Sequence, residues 1–336
     1  MAAATRRREL SEGLARLIDK ARESSARAVI IAGDLFDRAL VSARVREGVL
    51  TAISAATDLD FYYLGGNHEG QALTRGVGEL PKNLFIFGEE WTYFNTGSVV
   101  IAGRAATCDG MFDTLSLPRD TKNIVVLHGE IRAASEERGV IGIKEAAGRG
   151  IDYLALGHYH KYSSFPIDER GVAVYSGTPE GRGFDECGDC GAVIIDTESP
   201  PPYHTFIKTA RRALHSVEID ISSAHTEADI KRTLLEKLAA IPSSDLVRAS
   251  LVGRVGADLW RDTEAIREST MDRFFHAELC DATRIRISPE DYELDSSLRG
   301  ELVRSVMADE TLTDLQKEKI IACSLAALEG EAYFGV

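Results

Sequence analysis

The stretch YLALGHYHKY (153–162) begins as an apolar run, halts at Gly157, and then places His158 and His160 with one residue between them. A run this short and this apolar reads as a β-strand buried on both faces, because a half-exposed strand would alternate polar with apolar residues. The same texture recurs in AVIIAGD (28–34), FYYLGGNH (61–68), SVVIAG (98–103), NIVVLHGE (123–130), VAVYSG (172–177) and GAVIIDT (191–197). Helical spacing lies between several of them. From Arg8 to Glu23 the residues Leu10, Leu14, Leu17, Ile18 and Ala21 fall on one helix face, and 137–149 reads as a further helix. Strands buried on both faces with helices between them predict a layered α/β core.

Several of these runs end in Gly followed by Asp, Asn or His, or in His itself. In layered α/β sheets, ligands bind beyond the carboxyl ends of the strands, so Asp34, Asn67, His68, His128, His158 and His160 are expected to converge in one crevice. Carboxylate, amide and imidazole donors together suit Mn, Fe or Zn. One histidine after a strand is ordinary. Six such residues in the order Asp, Asn-His, His, His-x-His point to a metal site. No G-x-S-x-G turn or P-loop offers a rival centre.

With 336 residues, 44% apolar and 27% charged, the chain can bury a large core and is long enough for about two domains. No stretch approaches the ~18 uninterrupted apolar residues of a membrane span. The opening MAAATRRREL lacks the apolar segment of a secretion signal. Five scattered cysteines suit a reducing compartment, so the expected location is cytoplasmic, and CGDC (187–190) reads as a solvated turn for want of a second cysteine pair. The net charge of −14 opposes a polyanionic substrate at long range unless cations or a local basic strip offset it.

After about residue 210 the texture changes. HSVEIDIS (215–222) alternates with Val217, Ile219 and Ile221 on one face, and TEADIKRTLLEKLAAIP opens with Thr226 and Asp229 spaced as a capping box. Two more strands are expected in LVRASLVGRV and FFHAELCDATRIRIS, which makes a small α+β region. From about 293 the chain reads as helical, with Thr313 and Gln316 as another capping box. The apolar face of 312–328 suits packing on its own domain or docking to a partner. The expected division is 1–210, 211–292 and 293–336.

The motifs IIAGDLFDR, GGNHEG, VVLHGE, LALGHYHKY and VYSGTPEGRGFDE resemble the calcineurin-like metallophosphoesterases, and within them the SbcD/Mre11-type DNA repair exonucleases with their YhaO-like relatives. That resemblance covers nearly the whole chain. It implies a layered β-sandwich flanked by helices, a small capping domain, and a pair of divalent ions, Mn²⁺ foremost. It implies Asp34 bridging both ions, Asn67, His128 and His158 on the second, His160 on the first, and His68 as the catalytic group at the scissile phosphate, with Glu69 orienting it. DNA is the implied substrate, and an SMC-like coiled-coil ATPase and a second copy of the chain are the implied partners. A small-molecule phosphoesterase of the same superfamily and a non-catalytic scaffold are the alternatives.

The family's first motif, Asp-x-His on the first strand, has no counterpart before Asp34. The expectation is that a misassigned start or a truncation removed it, leaving the first ion with Asp34 and His160 and the chain impaired. Arg182 in the EGRGFDE loop and the Arg6–Arg8 cluster are weaker candidates for phosphate contact, and Arg211 and Arg212 mark a domain junction.

Overall fold

A computed structural model of the chain describes residues 2–36, 40–66, 72–133, 139–198, 203–256, 259, 261–286 and 292–328. They form two compact units, Met1–Ala213 and Leu214–Val336. Among the described residues no helix is long and apolar enough to cross a membrane.

The first unit opens with α1 (Ala2–Ser11) and α2 (Gly13–Glu23). The single helix expected from Arg8 to Glu23 is thus broken at Glu12. Ser11 Oγ turns back to Arg8 O, and Gly13, a poor helix former, starts the second segment. Strand β1 (Ala28–Ala32), helix α3 (Ala43–Ala55), β2 (Asp60–Leu64) and β3 (Leu84–Ile86) follow, and the three strands form a parallel sheet in that order. Asn83, just before β3, donates from Nδ2 to Ile53 O, Ala56 O and Leu59 O, each at 2.9 Å, tying β3 to the end of α3 and to the turn that follows it. Asn83→Ala is expected to cost about 1–3 kcal/mol by removing these bonds, read as a lower urea midpoint at constant m-value.

A second sheet of six strands is built from β4 (Thr92–Asn95), β5 (Val99–Gly103), β6 (Lys122–His128), then, after the small pair β7 (Glu130–Arg132) and β8 (Val140–Gly142), helix α4 (Ile143–Ala146), β9 (Tyr153–Gly157), β10 (Ser163–Pro166) and β11 (Val172–Tyr175). Its order is β10-β11-β9-β6-β5-β4, parallel in the centre with antiparallel edges. A hairpin of β12 (Gly191–Asp196) and β13 (Tyr203–Lys208) completes the unit. The helix expected over 137–149 is largely absent. Residues 134–138 lie outside the described set, 140–142 pair with β7, and only α4 is helical.

The alternation along each strand shows why the sequence runs are uniformly apolar. In β2, Phe61 and Tyr63 pack with Ile18, Ala21 and Ile53 of the helices, while Tyr62 and Leu64 share a core with Ile124, Val126, Tyr153 and Ala155 of the second sheet. In β6 and β9 the intervening residues Val125, Leu127, Leu154 and Leu156 pack on the other side with Met111, Phe112 and Ile141. Both faces of each central strand are therefore buried, and neither has room for polar side chains until the strand ends. His128 continues the parity of Ile124 and Val126, which turns it toward the first sheet.

The N-terminal helices are fastened by charge. Glu9 and Glu180 are almost fully buried, and Arg6 bridges them at 3.2 and 2.7 Å. Arg212 binds Glu9 at 2.8 Å, Arg16 binds Glu180, and the Arg211 amide donates to Glu180 at 2.9 Å. Arg6 is thus committed inside the fold, and Arg8 pairs with Glu12 on the surface.

In the second unit, β14 (Leu214–Asp220), α5 (Glu227–Leu238), β15 (Leu246–Val252), the short β16 (Arg254–Val255), α6 (Thr263–Met271) and β17 (His276–Asp281) give a parallel sheet in the order β14-β15-β17, with β18 (Arg284–Ile285) pairing β16. It is a βαβαβ arrangement, where the sequence suggested α+β, because α5 and α6 serve as the crossovers that parallel strands need. Thr226 and Asp229 form the anticipated capping box. Helices α7 (Leu298–Ala308) and α8 (Asp314–Leu328) pack on each other through Val303, Ile321 and Leu325, so the apolar face of 312–328 is at least partly used within its own unit.

Candidate metal centre

Three strand ends meet in the first unit. Asp34 lies two residues past β1, His128 ends β6, and His158 follows β9, and β1 packs against both β6 and β9. One ligand atom from each of Asp34, His128 and His158 lies within 4.8 Å of the others. His128 Nε2 stands 3.3 Å from Asp34 Oδ2, and the two imidazoles meet edge to face with centroids 5.6 Å apart.

The ring of His128 is aimed by its neighbours. Its Nδ1 lies 2.8 Å from the carbonyl oxygen of Ala32. A carbonyl only accepts, so the proton sits on Nδ1 and the lone pair of Nε2 faces Asp34. A Cβ on Gly33 would fall 2.2 Å from Nδ1, and one on Gly157 would fall 2.7 Å from it and 1.6 Å from Ala32 O. Bare backbone on both sides is therefore what makes room for the imidazole.

Two of the three residues are held in costly backbone. Asp34 has φ of 54° and His158 of 111°. For non-glycine residues such conformations cost on the order of 1–3 kcal/mol each and persist where the surroundings over-determine them. The turn out of each strand aims the side chain at the cluster instead of continuing along the sheet. Burial lowers the His158 pKa, with a smaller push from the adjacent His128 opposed by Asp34 and Glu130. The neutral imidazole, the form that ligates, is thereby favoured.

The donor set fits a divalent transition ion: one carboxylate and two imidazoles, one with its tautomer already fixed, converge within 4.8 Å of one another. His160 is not in this cluster of three. Its Nδ1 lies 2.7 Å from Glu186 Oε1. Asn67, His68 and Glu69 lie outside the described residues. Gly66, which precedes them, packs against Asp34, since a Cβ there would fall 2.4 Å from Oδ1. Sequence reading named Arg182 in the EGRGFDE loop but passed over Glu186, which receives the Arg182 amide at 2.7 Å and its guanidinium at 3.0 Å. The signal was available only as another acidic residue in a glycine-rich loop.

The chain is similar to the "Uncharacterized metallophosphoesterase YhaO" of Bacillus subtilis (strain 168), with 23% identity over 223 residues, covering 62% of this chain and 54% of that protein. The alignment thus spans about half the length of this relative. The profile of the calcineurin-like phosphoesterase family matches residues 9–162, the segment that carries Asp34, His128, His158 and His160 on the ends of β1, β6 and β9.

Proposed function

We propose that this chain is a divalent-metal-dependent phosphodiesterase acting on DNA, an exonuclease of the repair type that its motifs resemble. The observation that carries the reading is the convergence of Asp34, His128 and His158 at three strand ends inside the segment matching the calcineurin-like phosphoesterase family. Asp34 would contribute its carboxylate to both ions, His128 and His158 would hold the second with Asn67, and His160 would hold the first. Divalent ions bound there, Mn²⁺ foremost, supply Lewis-acid charge to the phosphoryl oxygens and make water an effective nucleophile near neutral pH. The protein's own part is to fix ligand direction through the Ala32 carbonyl and the bent backbone at Asp34 and His158. His68 orients or protonates at the scissile phosphate. The two sheets facing across a shared core make up the sandwich of this reading, and the second unit is its capping domain. An SMC-like ATPase and a second copy of the chain are the proposed partners, and the cytoplasm the proposed location.

The net charge of −14 favours a second reading, in which the same centre hydrolyses small phosphoesters. The test is purified protein with Mn²⁺ given linear DNA and p-nitrophenyl phosphate esters. DNA degradation that disappears in His68→Ala supports the first reading, and turnover of the small esters alone supports the second. Silence on both substrates overturns both and leaves a scaffold role.

A further inference from the structure

We propose that Glu186 is a positioning residue for the metal centre: it fixes the tautomer and direction of His160, with Arg182 holding Glu186 in the form that does so. The inference rests on the phosphodiesterase reading in that His160 is taken as a ligand, and it explains a loop that reading leaves idle.

The pairing is asymmetric. The His160 side chain is 43% exposed, while that of Glu186 is 3% exposed, and Nδ1 and Oε1 are 2.7 Å apart. A surface ion pair between two solvated groups would contribute little and hold neither side chain in place. Here the carboxylate has been taken out of water, which is unfavourable unless its oxygens are supplied with donors. They are supplied: Oε2 accepts the Arg182 amide at 2.7 Å, and Oε1 accepts the Arg182 guanidinium at 3.0 Å as well as the imidazole. With the Arg182 amide on Oε2 and its guanidinium on Oε1, Glu186 faces the imidazole as an acceptor. The imidazole nitrogen beside it must then carry the hydrogen, which puts the lone pair on Nε2, the atom left for a ligand. A carboxylate behind the imidazole also makes Nε2 a stronger donor.

Glu186 sits on backbone tied at several points. Its amide bonds to Gly183 O at 2.9 Å, Glu180 of the same loop is locked to Arg6 and Arg16, and the Thr178 amide reaches His160 O at 3.0 Å. The segment 178–186 therefore holds both ends of the dyad, the histidine by its backbone and its ring by the glutamate. His128 achieves the same tautomer with the Ala32 carbonyl. The two histidines thus use different acceptors to one end, and only the His160 acceptor carries a charge.

The test needs no turnover. In metal-free protein with ¹⁵N-labelled histidine at pH 8, long-range ¹H–¹⁵N spectra are expected to show His160 protonated at Nδ1. In Glu186→Ala it should shift toward the Nε2-protonated form that an unrestrained histidine side chain prefers, and in Glu186→Gln, which keeps an acceptor oxygen, it should remain largely at Nδ1. Calorimetric titration with Mn²⁺ alone should show one site weakened by about 10–100-fold in Glu186→Ala, with Glu186→Gln between the two. A wild-type His160 protonated at Nε2 or doubly protonated overturns the proposal, and so does a tautomer or Mn²⁺ affinity unchanged in Glu186→Ala. If Glu186→Ala does not fold, the wild-type spectrum and Glu186→Gln decide it. Loss of the phosphodiesterase reading would show as absent hydrolysis with the Nδ1 tautomer intact. Loss of this inference shows in the metal-free spectrum whatever the hydrolysis result.

Discussion

His128→Ala is expected to lower Mn²⁺-dependent phosphodiester hydrolysis by about a thousandfold, equivalent to about 4 kcal/mol of barrier. The side chain is essentially buried, its Nε2 stands 3.3 Å from Asp34, and its orientation is set by the Ala32 carbonyl, so alanine removes a donor fixed in place. Removing one of a few ligands forfeits most of the several kcal/mol that a correctly placed ion contributes to charge stabilisation. The same variant should lose the tighter Mn²⁺ titration while keeping its far-ultraviolet circular dichroism. EDTA treatment of the wild type should reproduce the loss, and added Mn²⁺ should reverse it, which the alanine variant cannot do at moderate Mn²⁺. Retention of more than about a tenth of the wild-type rate would place the chemistry elsewhere.

Glu9→Ala is expected to destabilise the first unit by about 3–5 kcal/mol, because it takes from the mostly buried Arg212 the Glu9 carboxylate that offsets its desolvation and leaves Arg6 with Glu180 alone. For a unit of this size that corresponds to a melting temperature lower by about 10 °C. Glu9→Gln keeps acceptor oxygen without charge and should fall between. The pH dependence follows from the same site. Burial pushes the Glu9 carboxyl up, but hydrogen bonds from Arg212 and Arg6 outweigh it and hold the group below its ordinary value of 4.5. A depressed carboxyl contributes stability that is complete above 4.5 and is lost as the pH falls through the folded-state value. Urea midpoints for the wild type should therefore decline more steeply below pH 4.5 than those of Glu9→Ala.

Much of the first unit was legible because its central strands are buried on both faces. Runs such as IVVL and YLAL read as strands buried on both faces, and where they stop, the change to Gly or a polar residue marks the strand end. Asp34, His128 and His158 could be named because each sits at such a stop. The break at Glu12 and the shrinkage of the helix expected over 137–149 were not legible, since Leu and Ala spacing reports an amphipathic face and is blind to whether a β-pair such as β7–β8 captures the backbone first. The parallel sheet of the second unit was missed because alternation in β14 says which face is buried and nothing about the direction of its neighbour. Glu186 and Glu9 escaped for a third reason: their role is set by residues far away in the sequence, His160 and Arg212. A buried glutamate and a solvated one look alike in a string of letters.

Asp34 and His128 are 94 positions apart, and His128 and His158 are 30 apart, so their meeting depends on β1, β6 and β9 being docked in final register. No local fragment of the chain can assemble the trio, and the unfolded ensemble should have little affinity for an ion that needs all of them. An ion that recognises only the folded form raises its melting temperature in proportion to the logarithm of free concentration over dissociation constant. Manganese supplied during refolding would then act as a thermodynamic clasp, drawing slowly formed, long-range strand pairings toward completion in the one unit that carries the trio.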